Sequence, residues 1–106
     1  MATTVGYVGT IESETRSVSR LWFSLTAAAK GDDWIKIGSP RAWFTMNMES
    51  ADRPSHMAQL TLLLEAMRSG LHVQVSHGGA ADFDKSAPND SFECDGIRVL
   101  RSGLHF

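Results

Sequence analysis

The feature that most constrains this chain is a change of hydrophobic period. Apolar and polar residues alternate in short segments on either side of one stretch whose apolar residues recur at steps of three and four. Alternation puts successive side chains on opposite faces of a strand, whereas the three–four step collects them on one face of a helix. A chain patterned this way is mostly β with one α-helix.

Six segments read as strands. Residues 5–12 (VGYVGTIE) set Val5, Tyr7, Gly9 and Ile11 against Gly6, Val8, Thr10 and Glu12, and the two glycines predict a bulge or sharp bend. Residues 19–26 (SRLWFSLT) put Leu21, Phe23 and Leu25 on one face and Arg20, Trp22 and Ser24 on the other. A turn through Lys30, Gly31 and Asp32 leads to 33–37 (DWIKI), with Ile35 and Ile37 inward and Trp34 and Lys36 outward. The loop GSPR joins it to 42–49 (AWFTMNME), where Phe44, Met46 and Met48 point inward. These two segments are expected to be antiparallel neighbours. Further on, LHVQVSH alternates Leu71, Val73 and Val75 against His72, Gln74 and Ser76, and residues 77–90 read as a polar loop. SFECDGIRVLRS reads as one extended strand with a bulge at Asp95-Gly96, a tight hairpin turn being the alternative.

The helix is expected over about 53–69, with Met57, Leu60, Leu64, Met67 and Leu71 as its core stripe and Leu63 widening it. Asp52 suits an N-cap, Pro54 a first turn, and Gly70 the left-handed residue that ends a helix.

Strand, strand, hairpin, helix, strand, strand, in this order and at these lengths, resembles the OB-fold, a small antiparallel barrel of five to six strands with its helix before the last two. From LWFSLTAAAKGDDWIKI through WFTMNME and HMAQLTLLLEAMRSG to LHVQV, about residues 19–76, the chain resembles the B subunits of the bacterial AB5 enterotoxins. The likeness is one of element order, so no binding residue of that family carries over. It implies one OB-like domain over 1–106 and a binding rather than a catalytic role, with a glycan among the expected ligands. Cholera-type subunits carry a disulfide, which a single cysteine cannot supply.

The chain has 106 residues, 12 acidic and 10 basic, for a formal charge of −2, so charge as a whole draws it to neither nucleic acid nor acidic membranes. MATTVGYVGT has no positive charge and no uninterrupted apolar run, which speaks against a secretory signal. The most apolar window, 60–64, is far shorter than the ~20 residues of a membrane span. The expected address is the cytoplasm, with export by a signal-independent route left open. Cys94 lies between Glu93 and Asp95, which disfavour a thiolate, and reads as a small buried residue. His72 and His77, five apart in a strand, face opposite ways, and His56 and His105 read as solvated or locally bonded. Asp82, Asp84 and Asp90 lack the spacing of a calcium loop. With no nucleophile–base pair and no metal set, the expectation is a non-enzymatic protein without cofactor or metal.

One arrangement points to binding. Trp22, Trp34 and Trp43 all occupy the outward phase of their strands, with Arg20, Lys36 and Arg41 in the same phases. Aromatics interleaved with cations suit single-stranded nucleic acid, at ~1–3 kcal/mol per stacked base, or a glycan. The same residues suit a subunit interface, with the chain itself or with another protein, where Trp and Arg are enriched. Local cover is the third reading, by the 77–90 loop or the N-terminal segment, or by a barrel that buries both faces of a strand locally.

Overall fold

The computed structural model describes residues 2–15, 19–28, 34–36, 42–49, 53–80 and 90–100. Five strands and one helix are found: β1 (Ala2–Thr15), β2 (Ser19–Thr26), β3 (Ala42–Asn47), α1 (Arg53–Ser69), β4 (His72–Ala80) and β5 (Asp90–Leu100). The strands close into a barrel in the order β1-β2-β3-β5-β4. All pairings are antiparallel except β3 with β5, which runs parallel. The helix precedes the last two strands, as in a small OB-like barrel.

β1 is long enough to serve two neighbours. Its first half pairs with β4 from Ala2↔His77 to Tyr7↔His72, and its second half pairs with β2 from Tyr7↔Thr26 to Thr15↔Ser19. The register slips between Val8 and Thr10, the bend that the glycines of this segment suggested. The slip resets the strand's phase. Val8 and Ile11, on opposite faces of an ideal strand, therefore both pack on the core. β5 is one continuous strand, and its partners step from Ser76↔Gly96 to His77↔Cys94, so Asp95 is the bulged residue. That decides for the bulge over the hairpin turn.

The core follows the expected strand phases. Phe23, Leu25, Phe44, Met46, Val73 and Val75 are fully buried, and the Phe23 and Phe44 rings stack at 5.4 Å. His77, in the phase of Val73 and Val75, is buried rather than solvated. Its ring lies 5.2 Å from Phe44 and 5.3 Å from Phe92, and Nε2 shares a 2.9 Å hydrogen bond with Thr4 Oγ1. His72 faces the other way, against Tyr7 at 4.1 Å. Cys94 is buried, and burial, reinforced by the charges of Asp95 and Glu93, pushes its thiol up to about 12.

Three expectations change. Residues 34–36 form no named strand beside β3, although Trp34 bridges Thr26 and Ala42 N donates to Ile35 O at 3.2 Å. The neighbours of β3 are β2 and β5. β4 continues past residue 77 to Ala80, which pairs with Phe92, so residues 78–80 belong to the strand and not to the expected loop. The helix turns a different face inward: Leu63 and Ala66 are buried, Leu60 and Leu71 pack partly on the core, and Met57, Leu64 and Met67 are exposed. Pro54 does sit in the first turn, and Gly70 does end the helix at φ 66°. His56 Nδ1 donates to Asn47 O at 2.6 Å, which ties the first turn to the end of β3. Asp52, Ile37, Arg41, Asp82, Asp84, His105, the 30–32 turn and the GSPR loop lie outside the described residues, and of Asp90 only the backbone is described.

Candidate functional site

The outer faces of β2, β3 and β5 form one sheet surface, and the registers determine its rows. Trp22 pairs with Thr45, and Thr45 with Glu93; Arg20 pairs with Asn47, and Trp43 with Ser91. The Arg20 guanidinium spans the three strands. Nη1 donates to Thr45 Oγ1 at 3.0 Å, and Nη2 to Glu93 Oε1 at 2.8 Å. Arg20 and Thr45 are buried there. A guanidinium held in this way is committed to the sheet rather than offered to a phosphate.

The three indoles do share one surface. Trp22 and Trp43 meet edge to face at 6.5 Å, and Trp43 meets Trp34 at 4.9 Å. Trp34 Nε1 donates to Ala42 O at 2.9 Å, while Ile35, one residue on, packs against the core and hydrogen-bonds through its N–H to Leu25 O. The short 34–36 segment is thereby fixed at the barrel wall, with Trp34 laid on Trp43.

Solvent exposure favours local burial of both strand faces over an open platform. Trp22 is only 3% exposed and Trp43 8%, and Trp34 is half-buried. The face is outer in phase but interior in environment, so these aromatics pack on one another instead of standing as an open stacking platform. Of the six residues expected to bind ligand, Lys36 is exposed, Arg20 is buried in its ion pair, and Arg41 is not among the described residues. The composition of β2 carried the missed signal. Its outward phase is Arg20, Trp22, Ser24 and Thr26, with a single charge, whereas a solvated face carries more.

The surface that is open lies elsewhere. Among the described residues, the large apolar side chains left exposed are Met57 (48%), Leu62, Leu64 (51%) and Met67 (41%), all on α1. Leu64 and Met67 also border a shallow depression shared with Thr61, Leu62, Glu65 and Arg68. At 100° per residue, the apolar side chains from Leu62 round to Met57 cover roughly 220° of the helix, more than one contact with a barrel can bury. That width is legible in the sequence.

Among the described residues no three His, Cys, Asp or Glu side chains are grouped to hold a metal ion, and no helix is long and apolar enough to cross a membrane. No protein-family model matches the chain, and no curated protein matches it.

Proposed function

We propose that the protein is a non-enzymatic binding module whose partner is another protein, met through the outer face of α1. The observation that carries this reading is the exposure of Met57, Leu64 and Met67, which with Leu62 are the exposed large apolar side chains among the described residues. Covering each is worth roughly 1.5–3 kcal/mol when burial is complete, and contiguous apolar surface of this kind marks interaction sites. Between Met57 and Met67 the only ionisable residue is Glu65, in keeping with the charge-poor centre of protein interfaces.

Single-stranded nucleic acid or a glycan on the tryptophan face is the second reading. It is favoured by the gathering of three indoles beside the exposed Lys36. It requires Trp34 to leave Trp43, and the net charge of −2 works against a polyanion.

A photoreactive side chain in place of Leu64, activated in the cell of origin, tests the first reading against a control at Arg98, which is exposed on β5. Discrete protein adducts from position 64 alone are expected. Equal, diffuse labelling from both positions refutes it.

A further inference from the structure

We propose that the open face of α1 pairs with the same face of a second copy of this chain, the two helices antiparallel about a two-fold axis level with residue 62. The inference rests on the reading of that face as a protein interface and names its partner.

Order and spacing carry it. Met57, Leu60, Leu64 and Met67 succeed one another at steps of three, four and three, the spacing with which one helix seam interdigitates with another. The seam is also a palindrome. Read from either end it is Met-Leu-Leu-Met, with its centre at residue 62. A two-fold interface demands that if residue i meets residue j, residue j meets residue i. Antiparallel pairing about residue 62 satisfies that demand with matched side chains, since Met57 meets Met67 of the second copy and Leu60 meets its Leu64. Three of the four are exposed and available, and Leu60 lies half-buried at the base of the seam.

Charge selects the direction. In the antiparallel register Arg53 comes level with Leu71 of the second copy, Glu65 with Gln59, and Arg68 with His56. A parallel pair would set Arg53 on Arg53 and Arg68 on Arg68. Arg68 is ion-paired with Glu65 on its own helix and borders the same depression as Leu64 and Met67.

Area sets the strength. Four side chains from one helix cover well under the ~800 Å² per partner of a stable complex, so the dimer is reversible and dependent on concentration.

Sedimentation velocity of the full chain from ~10 µM to ~1 mM brackets such a contact. The wild type is expected to pass from one chain to two, and Leu64→Glu or Met67→Lys, both at exposed positions, to weaken association by at least ~10-fold. Oxidative cross-linking then tests the direction. A mixture of Met57→Cys and Met67→Cys chains is expected to form linked dimers at least ~10-fold more readily than either alone, because like positions stand ~15 Å apart along the axis and a disulfide spans at most ~7 Å between Cα atoms. Cys94, buried in the core, stays out of the reaction.

A wild type that sediments as one chain throughout overturns the proposal, and so does cross-linking of either variant alone as efficient as that of the mixture. If the wild type is monomeric while position 64 still photolabels one protein of another mass, self-pairing falls and the interface reading stands. With no adduct at all, both fall.

Discussion

Replacing Trp22 by Ala separates an open platform from a second packed layer. Trp22 is 3% exposed and meets the Trp43 ring edge to face at 6.5 Å. A buried Trp covers roughly 150–250 Å², which at ~25 cal/mol per Å² is about 4–6 kcal/mol of apolar burial, to which the edge-to-face contact adds ~0.5–1.5 kcal/mol. Partial collapse of the cavity brings the expected loss to ~3–5 kcal/mol, a large part of the ~5–15 kcal/mol that holds a domain of this size. Phe44→Ala, at a fully buried position among Phe23, Phe92 and His77, is the benchmark and is expected to lose about as much. Urea unfolding followed by far-ultraviolet circular dichroism measures both without relying on the indoles. With slopes of ~1–3 kcal/mol per molar urea, each variant's midpoint falls by roughly 2 M, and a variant too unstable to fold at all meets the same expectation. A Trp22→Ala loss below ~1 kcal/mol beside a full loss for Phe44→Ala would show that Trp22 is dispensable to the fold and return the face to the ligand reading.

Gly6→Ala is expected to destabilise by ~1–3 kcal/mol in the same assay, because a Cβ there would stand 2.5 Å from Ile35 Cδ1 and 2.9 Å from Thr26 O, and the backbone oxygen has nowhere to retreat. Leu64→Glu, by contrast, is expected to leave stability within ~0.5 kcal/mol of wild type, which makes it a clean probe of association. Cys94 is expected to resist alkylation in the folded protein at pH 8 and to react at once in denaturant. Its folded pKa is raised, from 9.0 to about 12, so its contribution is full below pH 9 and is lost as the pH climbs from 9 toward 12. Alkaline unfolding of wild type should therefore grow steeper over that window than unfolding of Cys94→Ala.

Where a segment had one apolar face and one neighbour set, the sequence was sufficient. The phases of β2, β3 and β4 follow from Leu21-Phe23-Leu25, Phe44-Met46 and Val73-Val75, and the bulge at Asp95 from the Asp-Gly pair. Where a segment had two apolar faces, period alone could not choose. α1 carries apolar residues around more than half its circumference, and its seating was decided by the barrel, which accepts Leu63 and Ala66 and leaves the Met57–Met67 seam outside. The tryptophans show the converse. Period two put Trp22 and Trp43 on the outer phase of the wall, but whether an outer face is wet depends on what packs on it, and here Trp34 is laid on Trp43 from a short segment tied to β2 by one isolated bridge. His77 lies in the inward phase of Val73 and Val75, as alternation requires; what alternation does not encode is that a histidine there is buried and bonded to Thr4.

Methionine-methyl spectra recorded at rising protein concentration test the central claim most directly, because the methionines report from both environments. Met57 and Met67 lie on the open seam, whereas Met46 is fully buried in the barrel. The predicted result is that the Met57 and Met67 methyl resonances move together along one saturating curve as copies associate, while Met46 holds still and none responds to a single-stranded oligonucleotide or a glycan. Stationary Met57 and Met67 signals up to ~1 mM protein, with the Trp34 indole responding to oligonucleotide or glycan instead, would contradict it.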